Sequence, residues 1–173
     1  MKKKIILLIL ALIATVIVAL FVIQIVKYNR KLAPIRSLPA VELQTLDSLA
    51  YNTNMLADTG KPSVIVCFHP DCDFCGMEAD ELIKHYKDLG DVNLLFVTFA
   101  SKEETTAFLE QHPLDAIPGA NVLLDPNLDF FITFDVDAPP MSFIYDRHQK
   151  LVKRHKGTVA VDQLKQYLAK CHE

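Results

Sequence analysis

An uninterrupted apolar block near the N-terminus constrains this chain most. Residues 5–26, IILLILALIATVIVALFVIQIV, contain no charged residue, and only Thr15 and Gln24 are polar. A helix of 22 residues rises about 33 Å, enough to cross the roughly 30 Å hydrocarbon core of a bilayer. The block therefore predicts one transmembrane helix, with the rest of the chain folding outside the membrane.

A cleavable signal peptide and an uncleaved anchor would both contain such a block. A signal peptide has an apolar core of about 7–15 residues followed by small residues at a cleavage site. Here the block is longer, and KYNRKLAP follows it without an A-x-A pattern, which favours the anchor. The lysines at positions 2–4 favour an N-terminus on the inside, although Lys27, Arg30 and Lys31 flank the other end. We expect a single-pass protein whose remaining chain lies on the outer face.

The rest of the chain predicts one domain behind a short linker. We assign residues 1–4 to a cytoplasmic tail, 5–26 to the anchor, 27–38 (KYNRKLAPIRSL) to a linker and 39–173 to the domain. Without the three N-terminal lysines, 15 basic residues stand against 21 acidic ones. This balance argues against nucleic-acid binding, because proteins that bind nucleic acids usually carry a basic patch.

Hydrophobic periodicity indicates the order of elements in the domain. The stretch SVIVCFH, residues 63–69, is rich in β-branched residues and is typical of a strand buried on both faces. Further strands are predicted in AVELQTL, VNLLFVTF and NVLLD, and a hairpin in MSFIYD and LVKRHKG. Helices are predicted after residue 71, in KEETTAFLEQH behind the capping box Ser101–Glu104, in NLDFFITF and in AVDQLKQYLAK. This alternation predicts an α/β fold, a central mixed sheet with helices on both faces.

Two cysteines stand three positions apart where the first buried strand gives way to a helix. Asp71 is a suitable N-cap residue, which would place Cys72 in the first helical turn and Cys75 one turn later. Free backbone N–H groups and the helix dipole favour a thiolate in the first turn, and the thiolate is the nucleophilic form. Cys75 would lie on the inner face, close enough to attack a mixed disulfide formed at Cys72. The pattern predicts two-step thiol–disulfide exchange.

Other roles for the pair remain open at this point. A metal site usually needs four ligands, and only His69 lies nearby, so the alternative is a copper-binding metallochaperone that uses Cys72, Cys75 and His69. Haem attachment needs a histidine directly after the second cysteine, where Gly76 stands instead. A purely structural disulfide would be unusual across one helical turn. A redox-inert interaction module is the third alternative.

The cysteine surroundings also favour a direction of electron flow. The carboxylates of Asp71 and Asp73 disfavour a thiolate next to them, so we expect a reductase and not a strong oxidase. Cys67, in the middle of a strand, is expected to be a small buried apolar residue. Cys171, close to the C-terminus, is expected to have no role.

The order of a buried strand, a CxxC motif at a helix start and a later proline before a strand resembles the thioredoxin-like pattern. The chain resembles most closely the membrane-anchored TlpA/ResA-type thiol:disulfide oxidoreductases of bacteria, over nearly all of residues 39–173. Like them, it carries an additional helix and strand between the CxxC motif and PPMSFIYD. The resemblance implies a catalytic domain on the periplasmic side of the bacterial cytoplasmic (inner) membrane. Such proteins reduce disulfides there, in some cases on apocytochromes c.

The resemblance also implies roles for four residues. Cys72 matches the attacking cysteine and Cys75 the resolving cysteine. Pro140, before MSFI, matches the cis-proline that faces the pair and presents backbone to the substrate. Glu78 matches a glutamate that tunes the thiols, and its alternative role is an ordinary solvated helix carboxylate. The implied partners are disulfide-containing extracytoplasmic proteins and a membrane electron donor, and no cofactor is implied.

Several residues depart from the family pattern. Asp71 stands where a tryptophan usually precedes the first cysteine, and the chain has no Trp at all. Val66 replaces the buried aspartate of classical thioredoxins, and Met141 replaces the common threonine after the cis-proline. The peroxiredoxin signature P-x-x-x-[ST]-x-x-C fits none of the four cysteines. The resemblance therefore predicts the fold and the chemistry, but it leaves the redox potential and the substrate open.

Overall fold

The computed structural model describes residues 2–172, and the chain divides into two units between Pro34 and Ile35. The first unit is one helix, α1 (Lys2–Leu32). Within the described residues it supplies the one helix long and apolar enough to cross a membrane, with a candidate span at Leu12–Ile35 of mean hydropathy 2.0. Length and composition alone define this span, and a signal sequence passes the same test.

The N-terminal helix runs beyond the predicted anchor. It continues through residues 27–32, which we predicted as the start of a linker, because no helix breaker occurs before Pro34 and the residue before a proline disfavours the helical conformation. Ile35 is already buried in the second unit, and its carbonyl accepts a hydrogen bond from the Tyr145 hydroxyl at 2.8 Å. The segment predicted as a linker is thus divided between helix and domain.

The second unit contains a seven-stranded sheet in the order β2-β1-β5-β4-β3-β6-β7. The strands are β1 (Glu42–Thr45), β2 (Ala50–Asn52), β3 (Ser63–Cys67), β4 (Asn93–Thr98), β5 (Asn121–Leu124), β6 (Met141–Tyr145) and β7 (Leu151–Lys156). The helices are α2 (Asp73–His85), α3 (Lys102–Gln111), α4 (Asp129–Thr133) and α5 (Val161–Ala169). β3, β4 and β5 run parallel, whereas β6, β7, β1 and β2 join antiparallel to their neighbours. The sheet is therefore mixed, as predicted.

The central strand β3 is buried on both faces, and each face has its own core. One face carries Val64 and Val66, which share a core with buried residues of α2, α3 and α5. The opposite face carries Ile65 and Cys67, because successive side chains of a strand point to opposite sides. There the α4 rings of Phe130 and Phe134 pack against Phe143 of β6. The predicted arrangement, helices on both faces of a mixed sheet, is confirmed.

Two details can be compared with the sequence expectation, and one agrees while the other differs. The capping box Ser101–Glu104 is present at the start of α3, with the Ser101 hydroxyl accepting from the Glu104 N–H at 3.2 Å. The short strand β2, by contrast, was not predicted. Its three residues are exposed or half-buried, so they carry no hydrophobic pattern, and they are ordered through pairing with β1.

Candidate active site

Cys72 lies at the N-terminus of α2, at the end of the turn that leaves β3. It is the N-cap residue itself, and its sulfur accepts the N–H of Cys75 at 3.3 Å. Asp71, which we predicted as the N-cap, lies one residue earlier with its side chain largely exposed. The N-cap prediction was therefore wrong by one residue, because the Cys72 sulfur takes the free helical N–H group that an Asp71 carboxylate was expected to take.

The two cysteines differ in exposure. Cys72 is partly exposed, whereas Cys75 is 3% exposed and belongs to the core cluster of α2. Both are free thiols. Burial is the main cause that raises the pKa of the Cys75 thiol far above its ordinary value, and the hydrogen bond with Cys72 adds to this effect. An accessible thiol thus precedes a shielded one by a single helical turn.

The proline pair before β6 faces Cys72. The Pro139–Pro140 peptide bond is cis, as the resemblance implied. The Cys72 thiol donates to the carbonyl oxygen of Pro139 at 3.7 Å. A shallow, mostly apolar cavity of about 420 Å³ runs along this segment and is bordered by Phe74. Main chain and apolar surface are thus available beside the accessible sulfur.

Glu78 is buried against the sheet one turn after Cys75, with 3% of its surface exposed. Its Oε1 accepts a hydrogen bond from the Ser142 hydroxyl at 3.3 Å, and its Oε2 is buried without a hydrogen-bond partner among the described residues. Burial raises the pKa of Glu78 to about 7, against the opposing hydrogen bonds from Ser142 and the Val159 backbone. The alternative role, a solvated helix carboxylate, does not fit this burial.

The sequence did not indicate that Ser142 contacts Glu78. Ser142 pairs with Val66 in the antiparallel β3–β6 register, so its side chain lies on the α2 face of the sheet. The alternation of MSFIY could have indicated that Ser142 and Ile144 share a face. Nothing in the sequence, however, places that face against a residue 64 positions earlier.

His69 does not complete a metal site in the structure. Its ring packs against Phe99 at 4.9 Å between centroids, and its Nδ1 accepts the Asp71 N–H at 3.3 Å. No group of three His, Cys, Asp or Glu side chains among residues 2–172 has a geometry that could hold a metal ion. The copper-binding alternative therefore finds no assembled ligand set with Cys72 and Cys75.

The remaining two cysteines, Cys67 and Cys171, are buried. Cys67 is fully buried at the end of β3, on the sheet face opposite α2, as expected for a small apolar residue. Cys171 is buried near the C-terminus, where its sulfur contacts the carbonyl oxygens of Tyr145 and Tyr167 at 3.9 and 3.6 Å. Neither of these Cys171 contacts involves Cys72 or Cys75.

Arg154 of β7 holds the loop that leads to the proline pair, a contact that the sequence did not indicate. Its side chain is 7% exposed, and its guanidinium donates to the main-chain oxygen of Asp135. The same group contacts the Asp135 and Asp137 carboxylates at 3.3 Å, and Lys156 also donates to Asp137. A nearly buried cation thus fixes the segment that ends in Pro139 and Pro140.

Replacing Arg154 by methionine is expected to loosen this loop. The variant keeps apolar packing but removes the hydrogen bonds that Arg154 donates to Asp135 and Asp137, so we expect a loss of about 1–3 kcal/mol in unfolding free energy. Reaction of Cys72 with disulfides should also slow. Urea unfolding and exchange rates check both effects, with exposed Lys153→Met as the control. An equal loss in both variants would mean that the loop contact is unimportant.

The sequence matches the model of the AhpC/TSA family over residues 35–154, more than half of the chain. No protein of curated function matches it. The matched residues begin at the first buried residue of the domain and include the CxxC motif, Glu78 and the proline pair.

Solved structures with similar folds include three bacterial proteins. DsbF of Mycobacterium tuberculosis, solved in mixed oxidized and reduced forms, is 20% identical and superimposes with a TM-score of 0.67. The alignment covers 80% of this chain and 97% of the DsbF chain. A secreted disulfide oxidoreductase of the same organism has a TM-score of 0.63 at 19% identity, and the alignment covers 80% of this chain and 98% of that protein's chain. An uncharacterized thioredoxin-like protein from Porphyromonas gingivalis has a TM-score of 0.61 at 27% identity, and the alignment covers 79% of this chain and 94% of that protein's chain. The fold is thus thioredoxin-like, and it follows an N-terminal apolar helix.

Proposed function

Because this chain belongs to the AhpC/TSA family, we propose that it is a membrane-anchored thiol–disulfide oxidoreductase that reduces disulfides of extracytoplasmic proteins through Cys72 and Cys75. The observation that carries this proposal is the unequal exposure of the two thiols at the start of α2. Two-step exchange needs one sulfur that a protein substrate can reach and one that it cannot. One of the proteins with a similar fold is described as a secreted disulfide oxidoreductase.

The reaction proceeds in two exchanges. The Cys72 thiolate attacks a substrate disulfide, which forms a mixed disulfide and releases one substrate sulfur as a thiol. The Cys75 sulfur then attacks Cys72, so the second substrate sulfur leaves as a thiol and a Cys72–Cys75 disulfide remains. Two electrons and two protons have passed to the substrate. A membrane dithiol donor has to return them to the pair.

Glu78 serves as the proton acceptor for Cys75 in this scheme. Burial keeps the Cys75 thiol protonated, so resolution needs a base on the inner side of the pair. Glu78 is one turn further along α2, and its pKa of about 7 suits a base at neutral pH. Its charge is also one of the causes that raise the pKa of Cys75, which supports an effect of Glu78 on this thiol.

The proline pair would bind the substrate, and the acidic residues beside Cys72 bear on the direction of electron flow. Main chain at Pro139 and Pro140 would receive the extended substrate next to Cys72, as the 3.7 Å contact of its sulfur with the Pro139 oxygen supports. Asp71 and Asp73 beside Cys72 are both exposed acidic residues, and together with the family resemblance they motivate the proposed direction, reduction of the substrate. The apolar α1 would hold the domain at the outer face of the membrane.

A redox titration of the 173-residue chain in detergent tests the proposal. The protein is equilibrated in thiol buffers of graded potential and alkylated, and modified cysteines are located by mass spectrometry. We expect Cys72 and Cys75 to titrate together as one two-electron couple, nearer to about −270 mV than to about −120 mV. Cys67 should not take part. A pair that stays reduced at every potential, or that added copper protects, would exclude the oxidoreductase.

A further inference from the structure

A histidine and an aspartate form a pair in the cavity that Cys72 borders. This cavity of about 480 Å³ lies between α2 and α3. His112, directly after α3, lines it, and its Nδ1 is 2.6 Å from Oδ1 of Asp80 on α2. The ring also packs against Phe108, at 4.7 Å between centroids. Nothing in the sequence indicates this pair, because its members are 32 residues apart.

The second ring nitrogen of His112, Nε2, lies in the space above Gly76. Cys72, Gly76 and Asp80 follow one another at intervals of four residues, so they lie along one face of α2. A Cβ atom on Gly76 would lie 2.8 Å from Nε2 of His112, so this nitrogen occupies the space above the glycine. Since Nδ1 contacts Asp80, Nε2 is the ring nitrogen left for a group inside the cavity. Cys72 lines the same cavity one helical turn before Gly76.

We propose that His112, held by Asp80, is the proton relay for Cys72 in the exchange reaction, an inference that rests on the proposed function. The Asp80 carboxylate accepts a hydrogen bond from Nδ1–H, which leaves Nε2 of the neutral ring as the acceptor. Nε2 takes the proton of the Cys72 thiol, through water in the cavity that both residues line, as the sulfur attacks the substrate disulfide R–S–S–R′. It then gives that proton to the leaving sulfur, so the products are Cys72–S–S–R and R′–SH.

The charged side chains around the ring are carboxylates. The titratable side chains that line the cavity with His112 are Asp71, Cys72, Asp73, Asp80 and Glu104. No lysine or arginine is among the described residues of this lining. The ring thus shares the cavity with four carboxylates and with no basic side chain among the described residues of the lining. The opening of the cavity beside Cys72 leaves space for the leaving half of a substrate.

The dependence on the leaving group distinguishes a proton relay from a packing role. An alkyl thiolate is a poor leaving group and gains from protonation, whereas an aromatic thiolate leaves readily without it. In the Cys75→Ala background, His112→Gln should slow attack on hydroxyethyl disulfide at pH 7 by about 10- to 100-fold. Attack on an aromatic disulfide should slow several-fold less. Imidazole added to His112→Ala should restore part of the lost rate.

A second His–Asp pair, at the C-terminal end of α2, provides the control. His85 lies 3.4 Å from Asp88 at the other end of α2 and does not line the cavity, so His85→Gln should leave both rates unchanged. Equal slowing of both disulfides by His112→Gln, with no rescue of His112→Ala by imidazole, would show that the ring only supports the fold, and it would overturn the proposal. Unchanged rates would also overturn it. If the unsubstituted chain reacts with neither disulfide, the proposed function itself fails.

Discussion

The Cys75→Ala variant is expected to accumulate a covalent complex with its substrates and to lose turnover by about a thousandfold or more. Cys72 keeps its place as the N-cap of α2, so it still attacks the substrate disulfide. Without the Cys75 sulfur, only a thiol from solution can resolve the mixed disulfide. An intramolecular nucleophile acts at effective concentrations far above the millimolar range of free thiols, up to about 10⁵ M or more. Resolution is therefore the step that the variant loses.

The complexes are measured by isolating the variant from membranes without reducing agent, followed by mass spectrometry of the species that reductant releases. Cys72→Ala combined with Cys75→Ala should capture nothing. Cys67→Ala should turn over normally, because that thiol is buried on the other face of the sheet. A failure of Cys75→Ala to yield any mixed disulfide, with Cys72 accessible to alkylation, would contradict the exchange mechanism.

The part of this mechanism that could be predicted from the sequence is local. The β-branched run of β3, the CxxC motif and the helical stripe after it are consecutive in the chain, so their periodicity indicated both the elements and the junction. The inner position of Cys75 followed from the same stripe and is confirmed by its burial. The N-cap prediction at Asp71 was wrong because propensities do not count the sulfur of Cys72 as a competing acceptor.

What could not be predicted depends on contacts between distant parts of the chain. The hydrogen bond from Ser142 to Glu78 joins β6 to α2, and the His112–Asp80 pair joins the end of α3 to α2. A strand pattern gives the face of a side chain but not the neighbour that covers that face. Gly76 is a similar case, because only the structure shows that a histidine ring occupies the space above it.

Replacing Glu78 by glutamine is expected to slow resolution of the mixed disulfide and, at pH 8, to raise the free energy of unfolding. The carboxylate form accepts the Cys75 proton, so release of substrate from the mixed disulfide should accelerate as pH rises through about 7. Glutamine cannot accept this proton. We expect release at pH 8 to slow by about 10²-fold, the usual magnitude for loss of a general base, and to lose its inflection near pH 7. Stopped-flow release of a fluorescent thiol measures both.

The stability effect follows from the sign of the same pKa shift. Folding raises the pKa of Glu78 from 4.5 to about 7 through burial, so the folded state holds the proton more tightly than the unfolded state. Unfolding free energy should therefore fall as pH rises from about 4.5 to about 7, by at most about 3 kcal/mol. Glutamine does not titrate, so Glu78→Gln should lack this decline and exceed the unsubstituted chain in stability at pH 8. The exposed neighbour Glu81→Gln should keep the decline. If urea unfolding shows the same pH slope with and without the Glu78 carboxyl, Glu78 is not the buried acid that resolution of the mixed disulfide requires.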